Sequence, residues 1–200
     1  MTPGSTTILV FAKAPEPGQT KTRLIPTLGA KGAATLHEKL IRHAVTVARD
    51  AELGPVELWC APSSAHPLFG EMAATGSVTL RDQPLGDLGQ RMQAALDDAL
   101  ARHAYVLLIG SDCFEYSVDY LRTAADVLRS GNDAVLGPAA DGGYVLIGLA
   151  RNHLELFAGI AWGGSTVLGA TRDRLRRLGW SFRELPVLND IDRPEDVPMV

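Results

Sequence analysis

Cysteine is scarce in this chain. Its two cysteines, Cys60 and Cys113, end separate strand-like segments and match no disulfide or metal-ligand spacing. A disulfide-stapled fold is therefore excluded, and a reducing cytoplasm is the expected setting. Long apolar runs are missing too: none approaches the roughly 18 residues of a membrane span. The opening Met-Thr-Pro-Gly-Ser-Thr-Thr lacks the charged and apolar parts of a signal peptide. Positive charge is not in excess. The formal net charge is −4 and the pI near 5.7, which argues against a general nucleic-acid binder. Any basic function must be local. There is no internal repeat, low-complexity tract or linker.

What is present is an ordinary globular composition, 46% hydrophobic and 21% charged over 200 residues. That length suits one domain, 1–200, with a sizeable core, and residues 1–6 are expected to be flexible. Strand-like and helix-like segments alternate. Strands are predicted at 8–12, 56–60, 78–80, 105–109, 133–136, 144–147 and 181–185. Helices are predicted at 31–51, 87–102, 117–128 and 165–178. In the first helix Leu36, Leu40, Ile41, Ala44, Val45 and Ala48 recur at helical spacing. The alternation implies α/β architecture: a three-layer α/β/α sandwich around a mostly parallel sheet.

The chemistry-bearing residues cluster where predicted strands end. Phe11-Ala-Lys-Ala-Pro-Glu-Pro-Gly-Gln-Thr-Lys-Thr-Arg-Leu24 follows the apolar run Ile8–Phe11. Lys13, Lys21 and Arg23 on a loop stiffened by prolines and opened by Gly18 suit a polyphosphate; a solvated basic loop is the plainer reading. Its position after the first strand favours the ligand site, because open α/β sheets bind at the carboxyl ends of their strands. Asp112, in Gly110-Ser-Asp-Cys113, follows the most apolar strand and suits Mg²⁺ or Mn²⁺, or else caps a turn. Asp141, in Gly137-Pro-Ala-Ala-Asp-Gly-Gly-Tyr144, suits a second metal ligand or a general base, or else a hairpin turn. Gly86, Asp87 and Gly89 precede a helix, where they surround a base or ribose, or where Asp87 is only an N-cap. Trp162 reads as a stacking platform or as a core tryptophan. Asp190 and Asp192 reach the metal or form a structural turn. The arginines at 172, 174, 176 and 177 read as a solvated helix face.

Taken together, Phe11–Leu24, Gly86-Asp-Leu-Gly-x-Arg-Met92, Gly110–Cys113 and Gly137–Tyr144 resemble the small glycosyltransferase-A-like proteins of the DUF2064 group. The tail Asn189-Asp-Ile-Asp-Arg-Pro-Glu-Asp196 is similar to an ending common among sugar-nucleotide transferases. The resemblance covers almost the whole chain. It implies the nucleotide-diphospho-sugar transferase fold and a metal-dependent glycosyltransferase. Such an enzyme moves a sugar from a nucleotide-diphosphate donor to a small-molecule acceptor, as in arsenosugar biosynthesis. The first loop also looks like that of molybdenum-cofactor and phospholactate nucleotidyltransferases, so transfer from a nucleoside triphosphate with release of pyrophosphate is the alternative. A non-catalytic nucleotide-binding protein is a further one.

Carried over, Ala12, Lys13, Gly18, Lys21 and Arg23 would hold the nucleotide phosphates, and Gly86, Asp87 and Gly89 the nucleoside. Asp112 and Asp141 would bind Mg²⁺ or Mn²⁺, Lys21 and Asp141 would be catalytic, and Trp162 and Tyr144 would meet the acceptor. The family usually reads Asp-Cys-Pro. Here Phe114 follows Cys113, which is expected to loosen the loop beyond Asp112.

Overall fold

The computed structural model describes residues 5–74 and 76–196. Strand β1 (Thr6–Lys13) is buried on both faces up to Ala12, as a central strand must be when helices cover the sheet from both sides. Ile8, Val10 and Ala12 point to one face and Leu9 and Phe11 to the other. Of the six residues expected to be flexible, 1–4 lie outside the described residues. Thr6 is buried as the first residue of β1.

Helix α1 (Ile25–Asp50) starts earlier than its periodicity predicts. It breaks at Gly29 (φ 69°, ψ 164°), so the regular helix begins at residue 30, close to the expected start. Then follow β2 (Val56–Ala61), α2 (Pro67–Ala74), β3 (Thr79–Asp82), α3 (Leu88–Leu100) and β4 (Tyr105–Gly110). The second half is α4 (Val118–Arg129), β5 (Ala134–Pro138), β6 (Tyr144–Leu149), α5 (Val167–Arg177) and β7 (Phe182–Glu184). Helix α2 has no counterpart among the predicted segments. Its eight residues are too few to show a period, yet they bury Leu68, Phe69 and Met72.

The seven strands lie in the order β3-β2-β1-β4-β6-β5-β7, and only β6 runs antiparallel to its neighbours. Helices α1, α2 and α4 pack on one face through Ile41, Phe69 and Leu121. Helices α3 and α5 pack on the other through Leu96 and Leu175. Truncating a fully buried contact such as Leu96 to Ala costs about 2–5 kcal/mol in such cores. The first three strands build outward on one side of β1, and β4 enters on its other side. Strand order thus reverses between β1 and β4, which opens a crevice at their carboxyl ends. The loops carrying Lys13 and Asp112 both leave there.

Candidate active site

A cleft of about 650 Å³ lies at that switch point, bounded by Lys13, Gln83, Arg91, Asp112, Asp141 and Asp190. It is lined by charges of both signs. Lys13 is exposed at the end of β1, its Nζ donating to the Gln19 carbonyl at 2.7 Å. Arg91 is half-buried one turn into α3, and its Nε donates to the Gly86 carbonyl at 2.8 Å. The three aspartates line the same cleft.

Asp112 is held by buried groups. The ammonium of Lys21 lies 2.9 Å from its Oδ1, and Nδ1 of the buried His37 lies 3.4 Å from the same oxygen. Oδ1 is buried while the side chain as a whole is 49% exposed, so the other carboxylate oxygen faces the cleft. Desolvation opposes ionisation of Asp112. The His37 hydrogen bond and the Lys21 charge outweigh it and hold the carboxyl down at about 2. His37 in turn bonds the Lys13 carbonyl through Nε2 at 3.0 Å. A carbonyl only accepts, so Nε2 carries a proton. One buried histidine thereby ties the end of β1 to the end of β4.

Asp190 arrives from the C-terminal segment, which pairs with the loop after β4: Cys113 bridges to Asp190, and Ile191 N donates to the Asp112 carbonyl at 2.9 Å. The Asp190 carboxyl is pushed up by desolvation and by the charges of Asp141 and Asp112, with Lys21 working the other way. Glu115 adds two hydrogen bonds to Asn189. The loop beyond Asp112 is therefore pinned without a proline, contrary to the expectation from Phe114, whose ring lies instead against His43.

Asp141 sits in the β5–β6 hairpin, where its Oδ1 accepts from Gly143 N at 2.8 Å. The hairpin turn is thus as read, and it presents an acid to the cleft. Gly142 takes φ 91°, and a Cβ there would meet the Ser165 carbonyl at 2.3 Å. Only glycine lets the segment bearing Trp162 pack so closely on the hairpin.

Several expected contacts are redirected. Lys21 is a buried residue rather than a free loop cation, and Nζ also donates to the Ile191 carbonyl. Arg23 is exposed and paired with Asp192, outside the cleft. Gly18 and Gly86 do not line it either, although Ala12 does. Asp87 is the N-cap of α3: its carboxylate accepts from Gln90 N, and Gln90 returns the bond to Asp87 N. Gly89 is buried under Trp162, where a Cβ would come within 2.6 Å of Nε1. Its place is one of helix packing. Trp162 is itself half-buried between Tyr144 and Phe157.

His37, Gln83 and Arg91 were not singled out by the sequence. Arg91 lies inside a motif already quoted. His37 shares the buried face of α1, where a histidine reads as core. Burial pushes the thiols of Cys60 and Cys113 up, to about 12 and about 11, so neither supplies a thiolate near neutral pH. Among the described residues, no helix is long and apolar enough to cross a membrane.

The family model for DUF2064, uncharacterized proteins conserved in bacteria, matches residues 44–164. No curated protein matches this chain. A crystal structure from Desulfovibrio desulfuricans G20, of a protein assigned as a nucleotide-diphospho-sugar transferase, is 32% identical. The match covers 94% of this chain and 82% of that one, with a TM-score of 0.85. Glucosyl-3-phosphoglycerate synthase from Mycobacterium tuberculosis, in complex with Mn²⁺, uridine diphosphate and glucosyl-3-phosphoglycerate, is 14% identical. It covers 97% of this chain and 74% of that one, with a TM-score of 0.60. The inositol-1-phosphate CTP transferase from T. maritima is 11% identical, covers 98% and 93%, and has a TM-score of 0.59. The fold is that of the nucleotide-diphospho-sugar transferases.

Proposed function

This chain belongs to the DUF2064 family, and on that premise we propose that it is a transferase acting on a nucleotide-diphosphate sugar, with a small molecule as acceptor. The observation that carries the reading is the convergence, in one cleft, of Lys13 and Arg91 with Asp112, Asp141 and Asp190. A diphosphate fits between the cations and a metal held by the acids. The 32%-identical relative assigned to sugar-nucleotide transfer supports the sugar donor, and the Mn²⁺ and uridine diphosphate bound by a fold relative suit the same chemistry.

The acids fit Mg²⁺ or Mn²⁺. Desolvation and the charges of Asp141 and Asp112 raise the carboxyl of Asp190, a cost that a bound cation offsets. Among the described residues, no three His, Cys, Asp or Glu form a complete protein-ligated centre. That suits a hard cation that takes most of its ligands from phosphate oxygens and water. Asp112, through its cleft-facing oxygen, and Asp190 would hold it. When bound, the cation supplies stabilisation of the charge on the departing diphosphate.

The chain's own residues do the rest. Lys13 and Arg91 hold phosphate oxygens and stabilise their growing charge as the sugar C1–O bond breaks. Asp141, fixed by Gly143 N, accepts the proton of the acceptor hydroxyl as the new C1–O bond forms. The nucleoside diphosphate leaves with the electron pair of the broken bond. Lys21 and His37 position Asp112 and touch no substrate. Incubation with a panel of sugar nucleotides, Mn²⁺ and candidate acceptors should release a nucleoside diphosphate. Pyrophosphate released from a nucleoside triphosphate would replace this reading with nucleotidyl transfer.

A further inference from the structure

Beside the cleft, a recess of about 190 Å³ runs between the start of α3, the end of β4, the start of β6 and the 162–167 turn. Its walls are Phe11, Leu88, Met92, Leu108, Trp162 and Val167, with Tyr144 against Trp162 in an edge-on contact, the ring centroids 6.5 Å apart. Asp141, Tyr144 and Trp162 are the only lining residues, among those described, whose side chains carry a polar atom. Asp141 stands where the recess joins the main cleft, because it borders both.

We infer that this recess is a binding subsite for a single uncharged apolar ring, aromatic or cyclic-aliphatic, belonging to the acceptor. The size fits. A dry, apolar cavity of about 150 Å³ is enough to take up benzene. The chemistry fits as well. A polyhydroxylated sugar ring would lose hydrogen bonds to water that these mostly apolar side chains do not replace. An apolar ring keeps its contacts there and packs against the rings of Phe11, Tyr144 and Trp162. The recess also opens at Asp141, so a hydroxyl on the ring's outward edge lies beside the proposed base. Gly89 belongs to this device, since its missing side chain is what lets Trp162 settle against α3 as a wall of the recess.

That the ring is the acceptor's rests on the transferase reading; that the recess binds such a ring does not. Methionine-methyl NMR separates the two. Met92 lines the recess, whereas Met72 packs in the core on the opposite face of the sheet. Titration with benzyl alcohol, without nucleotide, should shift the Met92 methyl saturably in roughly the millimolar range, as expected for so small a ligand. The Met72 methyl should stay in place, and methyl glucoside should move neither. Leu88→Glu, at the half-exposed mouth, should weaken the benzyl alcohol response at least about fivefold. An unmoved Met92, equal shifts at both methionines, or a stronger response to methyl glucoside would each overturn the subsite. A retained Met92 response in a protein that releases no nucleoside diphosphate from any sugar nucleotide would keep the ring-binding recess and remove its assignment to a sugar acceptor.

Discussion

Lys21 Nζ lies 2.9 Å from Asp112 Oδ1, with the lysine side chain buried and the aspartate reaching the cleft. A loop cation expected to grip phosphate is instead the counter-charge of the acid that faces it. This pair changes what mutagenesis should read.

Asp112→Asn should destabilise the protein by about 1–3 kcal/mol, since it leaves a buried ammonium with a neutral partner. A residue read from sequence as a free loop acid would be expected to cost at most about 1 kcal/mol. Lys21→Met in the same chain should recover part of the loss, with a coupling of at least about 0.5 kcal/mol. Urea melts of the four proteins measure this. Strict additivity would mean that the pair is not coupled.

Acid should act through the same pair. Asp112 titrates at about 2 in the folded protein against an ordinary 3.8. A depressed folded pKa means that the stabilisation is complete above the unfolded value and fades as pH falls from near 4 toward 2. The difference in melting temperature between wild type and Asp112→Asn should therefore shrink over that window. A constant difference from pH 5 to pH 2 would contradict it.

Asp190 should behave in the opposite sense. Its folded pKa is raised, so its ionisation costs stability as pH climbs through that value. Asp190→Asn should raise the melting temperature at neutral pH while lowering transfer activity. Mn²⁺ should stabilise the wild type more than this variant, because the cation relieves a repulsion that the variant has already lost. Thermal melts with and without Mn²⁺, and after chelation, decide the point.

Lys13→Ala and Arg91→Ala should each weaken sugar-nucleotide binding about tenfold or more, the usual loss for a charge-assisted hydrogen bond, with little change in stability. Isothermal titration calorimetry is the measurement. Unchanged affinity in both variants would move the phosphates elsewhere.

Gly89→Ala should lower stability by about 1–3 kcal/mol. An ordinary helix interior gains roughly 1 kcal/mol from this change. Here the added methyl meets the Trp162 ring and the Phe157 carbonyl, so the sign reverses.

Much of the architecture is written in the chain itself. The unbroken apolar run of β1, the helical spacing of Leu40, Ile41, Ala44 and Ala48, and the caps Ser117 and Asp87 are local signals, and each forms the element it predicts. The strand-end loops were legible for the same reason, because strand, loop and helix follow one another in sequence. Asp112 and Asp141 could thus be named before any contact was known. Short α2 could not, since eight residues show no period and its place is fixed by the burial of Leu68, Phe69 and Met72.

The partners of the charged groups were decided only by the tertiary structure. Lys21 meets Ile191, 170 residues away, and Arg23 meets Asp192, 169 residues away. His37 reaches Asp112 from another helix layer. A basic loop reads the same whether its cations face solvent, phosphate or a buried acid. Which of these applies depends on desolvation and distance, and those exist only once the C-terminal segment has closed over the ends of β1 and β4.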